Sequence, residues 1–277
     1  MTKPVVLSVA PNGAHKTKTD HPMLPLSEDE IAAEATRCQV EGATVLHLHV
    51  RDKNQAHTLD PERYLSAIQK TRAAVGDSMI IQITTEAVEK YSSEDQINCV
   101  KKVRPEAVSL ALRELIPNQK EELRAARFFE WMHTQGIGPQ YILYSEDELI
   151  RFNSLCSRGI IQSDTPNILL VLGKQRNSEA DAAESDPASL ESLVKFVDAR
   201  HVWSVCAFGS SEAECMAKAT SLGGHCRVGF ENNLLDSHGR LAVNNAQQVA
   251  GVANIITSSK RSLGNINDAR KLFDVHR

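Results

Sequence analysis

Two histidines one residue apart, His47-Leu48-His49, are the most chemically suggestive pair in the chain. They end the apolar run Val45-Leu46-His47-Leu48-His49-Val50, so as alternate residues of a strand they face the same side. Their Cα atoms then lie roughly 6.6 Å apart, close enough for two imidazoles to meet on one cation. A hydrogen-bonded histidine pair is the plainer alternative. Position favours the metal, because polar Arg51-Asp52 follows and the C-terminal ends of strands are where barrel enzymes keep their working groups.

A third ligand must come from another strand end, and Arg227-Val228-Gly229-Phe230-Glu231-Asn232-Asn233 offers Glu231. If the sheet closes, an eighth strand lies beside the first and one strand away from the histidines. A His2Glu set with an open position is then possible, which suits zinc as a Lewis acid. Further polar groups stand at other strand ends: Asn12, His15 and Thr17 after the first, Thr84-Thr85-Glu86 after the third, and Ser109, Arg113 and Glu114 around the fourth. Serine and threonine are common strand residues, so their hydroxyls count as donors only if a site assembles around them.

The elements that must position these groups follow from hydrophobic period. Short β-branched runs alternate with longer amphipathic stretches along the whole chain. The strand candidates are Val5 to Ala10, Val45 to Val50, Met79 to Thr84, Ala107 to Leu112, Gln140 to Tyr144, Asn167 to Gly173, His201 to Gly209 and His225 to Phe230. Helix starts are marked by Ser27…Glu30, Ser145…Glu148 and Ser211…Glu214, which read as capping boxes, and by Asp60-Pro61 and Asp186-Pro187. Eight strand-helix units in 277 residues, without a linker or composition shift, predict an α/β fold: a single-domain (β/α)8 TIM barrel over 1–277. A doubly wound open sheet is the competitor, although no GxGxxG opens a helix. The polar stretch 174–186 after the sixth strand reads as a loop on the substrate face, either a lid or a solvated insertion.

Composition excludes several classes. With 31 Lys+Arg against 35 Asp+Glu the formal charge is −4, which argues against nucleic-acid binding. No apolar run approaches the ~18 residues of a membrane helix, and the apolar stretch near the start is too short for a secretion signal. A soluble, cytoplasmic protein is expected. The six cysteines are scattered, without a CxxC pair, as buried free thiols are.

The chain resembles the β-keto acid cleavage enzyme family over essentially its whole length. The segments that carry the likeness are APNGAHKT with LPLSEDEIAAEA, EGATVLHLHVRD, IQITT, RPEAVSLAL, WSVCAFG and GGHCRVGFENN. The resemblance implies a zinc-dependent barrel, a homo-oligomer such as a dimer or tetramer, that exchanges an acyl group between a β-keto acid and acetyl-CoA. The products are acetoacetate and a new acyl-CoA. The family's zinc ligands fall on His47, His49 and Glu231, its catalytic arginine on Arg227, and its substrate-binding hydroxyl on Thr84 or Thr85. Asn12 and Ser109 join these as substrate-binding candidates.

The departures carry information too. The family's aspartate after the metal-binding glutamate is Asn232 here, and an amide cannot take up a proton at neutral pH. His15, standing where the family has glutamate, is a substitute base because an imidazole titrates near ~6.5; Glu86 is its rival. Thr85-Glu86-Ala87 replaces Thr-Gly-Gly and narrows backbone approach. Ile142 replaces a glutamate that binds an amino substrate in one characterised specificity, which disfavours a cationic substrate. Two other functions stay open: a zinc-dependent hydrolase or lyase acting on a small carboxylate without CoA, and a catalytically silent metal- or ligand-binding barrel.

Overall fold

The computed structural model describes residues 3–173 and 185–275. The strands are β1 (Leu7–Val9), β2 (Val45–Leu48), β3 (Val50–Arg51), β4 (His57–Thr58), β5 (Ile80–Thr84), β6 (Ala107–Ala111), β7 (Gly138–Leu143), β8 (Asn167–Leu172), β9 (Val202–Ala207) and β10 (His225–Val228). The α-helices are α1 (Glu28–Val40), α2 (Pro61–Val75), α3 (Ser93–Val103), α4 (Leu112–Leu115), α5 (Glu122–Thr134), α6 (Glu146–Ser157), α7 (Pro187–Val194), α8 (Glu212–Leu222), α9 (Asn245–Ser258) and α10 (Ile266–Phe273).

Eight strands close in the order β1-β10-β9-β8-β7-β6-β5-β2, all pairs parallel. Closure is made by β1 against β10, with Ser8 opposite Arg227, which settles the barrel against the open sheet. The remaining two strands form a small antiparallel hairpin, pairing Val50 with Thr58 and Arg51 with His57. This hairpin, unexpected from the sequence, ends β2 at Leu48, so His49 lies in the break between β2 and β3.

Alternate apolar side chains of the strands face outward onto the helices, where Val9, Leu46, Ile81, Val108 and Leu170 join one continuous core. Burial of that belt stabilises the barrel at roughly 25 cal/mol per Å² of apolar surface. At the N-terminal end, α10 lays Leu272 and Phe273 across Val6, Val45, Ile80 and Ala107 and plugs the barrel floor. Gly138 is needed there because a Cβ would meet the Phe273 carbonyl oxygen at 2.1 Å.

Caps fix where the helices begin, and through them the loops at the mouth. Ser27 and Glu30 form the full capping box, and Asp60 and Asp186 accept amides at the starts of α2 and α7 with proline in the first turn. Ser145 caps Glu148, but the Glu148 carboxylate accepts from Tyr144 N instead of returning to Ser145. Ser211 makes no side-chain cap; its ψ of 12° is not the extended conformation a capping residue adopts. All six cysteines are free. No helix of the described residues is long and apolar enough to cross a membrane. Residues 174–184, most of the stretch read as a lid, lie outside the described residues.

Candidate active site

Three donor groups converge at the C-terminal mouth. The Nε2 atoms of His47 and His49 lie 3.1 Å apart, and Glu231 Oε2 lies 3.5 Å from the first and 3.3 Å from the second. The histidines are 1% and 0% exposed and Glu231 is half-buried. Glu231 Oε2 has no hydrogen-bond partner, although it is buried.

The protonation of these groups follows from their surroundings. Burial pulls His47 down to about 3, so its imidazole is neutral. Its Nδ1 donates to Gln82 Oε1 at 2.7 Å, which leaves the lone pair on Nε2, the atom facing Glu231. Gln82 is held in turn, since its Nε2 donates to Gln140 Oε1 and Gln140 Nε2 donates to Asn167 Oδ1, both at 3.1 Å. A line of amides across the barrel thus fixes the tautomer of one histidine. Burial works to raise the Glu231 pKa, but the Arg227 guanidinium and the two imidazoles hold that carboxyl well below its ordinary range. An anion and the lone pair of a neutral imidazole, crowded within 3.5 Å of each other beside a second ring, fit a divalent cation.

Backbone geometry makes room for this cluster. Gly13 has φ +62°, and a Cβ there would lie 2.6 Å from Glu231 Cγ. Gly229 has φ +136°, and its Cβ would strike the Ala10 carbonyl oxygen at 2.3 Å. Only glycine allows β1 and β10 to run so close below the mouth. The loop after β1 is strapped down by Arg51, which donates to the carbonyls of Gly13 (2.6 Å) and Lys16 (3.0 Å), and Lys16 Nζ donates to the Glu231 carbonyl at 2.9 Å.

Two cavities open beside the donors. An inner cleft of about 20 Å³ is lined by His47, Arg227 and Glu231 together with Thr84, Ser109, Glu86 and Glu114, and by apolar Ala111, Ile142, Tyr144, Val171 and Phe208. An outer cavity of about 240 Å³ is lined by Asn12, His15, Lys16, Asn232 and neighbours on the β1 and β9 loops. Glu86, Phe208 and Glu231 border both.

The remaining sequence candidates are distributed around these spaces. Arg227 reaches Glu231 Oε1 and Cys206 Sγ, each at 3.2 Å. Glu86 lies between two imidazoles, 3.9 Å from His49 Nδ1 and 4.0 Å from His15 Nε2. His15 itself lies at the rim, with its side chain 34% exposed. Ser109 Oγ is buried without a hydrogen bond, and Thr84 Oγ1 accepts from Glu86 N. Thr85 is turned away: its hydroxyl donates to the Ser109 carbonyl, and it lines neither cavity. The Asn12 amide group donates to the carbonyls of Pro25 and His49. Asn232 is buried with neither end of its amide hydrogen bonded.

Sequence reasoning missed Gln82 and His57. Gln82 is two residues before Thr84 on β5 and so shares its inward face, a usable signal. His57 packs its ring 5.2 Å from that of His49 and donates to the Glu86 carbonyl at 3.0 Å. It arrives on the two-residue strand β4, which has no detectable period.

A closed parallel (β/α)8 barrel with ionisable side chains gathered at its C-terminal mouth defines the class of barrel enzymes. Within that class the chain belongs to the β-keto acid cleavage enzyme family, whose model matches residues 4–275. It is 26% identical over 285 residues to a 3-keto-5-aminohexanoate cleavage enzyme of Fusobacterium nucleatum, covering 99% of each chain. It is 24% identical to the 3-oxoadipate:acetyl-CoA acetyltransferase of Cupriavidus necator, covering 99% of this chain and 95% of the relative. Among solved structures the fold is similar to ObcA in a ternary complex with a C4-CoA adduct and oxalate. That match has TM-score 0.75 and 17% identity, over 92% of this chain and 68% of the other. The protein is therefore an enzyme of the β-keto acid cleavage family.

Proposed function

We propose that this enzyme exchanges acyl groups between a β-keto acid and acetyl-CoA, giving acetoacetate and a new acyl-CoA. The names of its relatives, which include acetyl-CoA transferases of other oxo acids, support the co-substrate. The single structural observation behind the reading is the convergence of His47, His49 and Glu231 at the barrel mouth, where the inner cleft and the outer cavity meet. These three would hold a divalent cation, zinc by the chemistry of the donor set, and when bound it supplies Lewis acidity to the oxygens of the keto acid.

The chain's own residues account for the remaining needs. Deprotonation at C2 falls to Glu86, whose carboxylate borders both the inner cleft and the outer cavity. His15, beside it at the rim, passes that proton to and from solvent. Asn232, which cannot accept a proton, lines the outer cavity through which the thioester enters. Arg227 directs its guanidinium toward the substrate carboxylate, since arginine presents several donors in a fixed plane. Thr84, with its oxygen already accepting from Glu86 N, and Ser109 each donate a hydroxyl proton to a substrate oxygen. Homo-oligomeric assembly belongs to the same reading and comes from the family likeness, whereas a cytoplasmic setting is inferred from apolar runs too short for a membrane helix.

The experiment is a screen of purified zinc-loaded protein against β-keto acids with acetyl-CoA, following acyl-CoA masses. Acetoacetate and a matching acyl-CoA in equal amounts are expected. Product formation with CoA strictly omitted would instead identify a hydrolase or lyase.

A further inference from the structure

We propose that Asn232 is a catalytic residue of the acyl exchange: its Nδ2 donates a hydrogen bond to the carbonyl oxygen of the acetyl thioester as that oxygen becomes an oxyanion. The proposal rests on the acyl-exchange reading and gives a role within it to the residue that stands where the family has aspartate.

Asn232 is 3% exposed, and neither Nδ2 nor Oδ1 of its side chain has a hydrogen-bond partner. A buried amide left unpaired at both ends is costly, so its presence points to a ligand that completes it. The asparagines around it behave differently. Asn233 spends both ends on structure: Oδ1 accepts from Leu235 N at 3.0 Å, and Nδ2 donates to the Leu235 carbonyl at 3.2 Å and to Glu212 Oε2 at 3.3 Å. Asn12 commits its Nδ2 to the carbonyls of Pro25 and His49.

The backbone on either side of Asn232 is pinned while its side chain is not. Glu231 N donates to the Ala10 carbonyl at 3.1 Å, and Lys16 Nζ donates to the Glu231 carbonyl at 2.9 Å. Asn232 N donates to the Gly229 carbonyl at 2.8 Å, and Gln248 Nε2 donates to the Asn233 carbonyl at 2.8 Å. Turning the Asn232 amide onto a ligand therefore breaks no hydrogen bond, and the residue stays in place as it turns.

Position selects the thioester as that ligand. Asn232 follows the metal-binding Glu231 in the chain, and both line the outer cavity, through which the thioester enters. A keto acid held beside Glu231 has its C2 there, and the thioester carbonyl carbon must come within about 3–3.5 Å of that atom to react. Once Glu86 has taken the C2 proton, the C2 electron pair forms a bond to the thioester carbonyl carbon, and the C=O π pair moves onto oxygen. Nδ2–H meets that oxyanion, a task for which a carboxylate at this position has no donor when ionised. Re-forming the C=O breaks the C–S bond and expels CoA as its thiolate. Asn232 gives up no proton in either step.

The test separates the half of the reaction that needs the thioester from the half that does not. Acyl exchange is followed with acetyl-CoA, and exchange of the C2 hydrogen for deuterium is followed by NMR with the keto acid alone. Asn232→Ala, loaded with zinc, should lose about 10²- to 10³-fold in kcat, the usual effect of removing one oxyanion donor, with KM for acetyl-CoA within about threefold of wild type. Its C2 exchange rate and zinc content should stay at wild-type values. Asn232→Asp keeps the shape without the donor and should show the same split, so it carries the test if Asn232→Ala does not fold. A kcat within about threefold of wild type in Asn232→Ala, or an Asn232→Asp enzyme faster than wild type, overturns the proposal. So does a loss of C2 exchange in proportion to kcat, which is how a merely structural role would appear. Absence of acyl exchange in folded, zinc-loaded wild type instead overturns the acyl-exchange reading, and this proposal with it.

Discussion

Gln82 accepts a 2.7 Å hydrogen bond from Nδ1 of His47, and this contact decides which imidazole nitrogen faces His49 and Glu231. Outer contacts of this kind orient ligands and raise their basicity, and losing one typically weakens metal binding by about 10- to 100-fold. Gln82→Leu, which keeps the volume but removes the acceptor, should therefore raise the zinc Kd by that factor while the protein stays folded. Competition with a chelator of known affinity measures it, and an unchanged Kd would show that His47 is oriented by packing alone.

Gly13 must remain glycine on two counts, its φ of +62° and the 2.6 Å that would separate a Cβ from Glu231 Cγ. Gly13→Ala should lower stability by about 1–3 kcal/mol, the usual cost of a strained backbone position, and displace the Glu231 side chain. Urea unfolding together with zinc content tests both parts; a variant of normal stability and full zinc content would contradict them.

Glu86 and His15 divide the proton work unequally. A positioned base contributes about 10²- to 10⁴-fold, so Glu86→Gln should cost that much in kcat. His15→Ala, at the exposed rim, should cost less than about tenfold. Steady-state kinetics at saturating keto acid and acetyl-CoA decides the order, and the reverse ranking would move the base to His15.

His225 gives the fold an acid-sensitive point far from the metal ligands. Its Nδ1 accepts from Val6 N at 2.9 Å, and burial holds it down at about 4. The unfolded imidazole titrates near ~6.5, so between these values the unfolded chain binds the extra proton. Stability contributed by neutral His225 is complete above the unfolded value and is lost as pH falls toward the folded one. His225→Asn should flatten the decline of Tm between about pH 6.5 and 4; a decline of equal slope in both proteins would remove His225 as its cause.

Much of this architecture was legible because local chemistry and global fold agree. The run Val-Leu-His-Leu announces β2 and its inward histidines, and Asp60-Pro61 announces the start of α2. Ser211…Glu214 looks like a capping box but is not one, because Ser211 at ψ 12° lacks the extended backbone that would aim its hydroxyl at the first-turn amides. Closure through Ser8 and Arg227 joins residues more than two hundred positions apart, and no periodicity encodes that pairing. Thr84 and Thr85 are indistinguishable as residue types. The strand's alternation sends the first into the cleft and turns the second against the Ser109 carbonyl. The hairpin that delivers His57 is too short to leave a pattern, and the amide line from Gln82 to Asn167 reads in sequence as isolated polar residues on strands.

The account rests on His47, His49 and Glu231 as one metal centre, and metal analysis of single-ligand variants tests this most directly. Wild-type protein, loaded with zinc and dialysed, should retain about one ion per chain, and His49→Ala and Glu231→Gln should each retain less than about a tenth of that while keeping the far-UV circular dichroism of the barrel. Undiminished zinc in both folded variants would contradict the account.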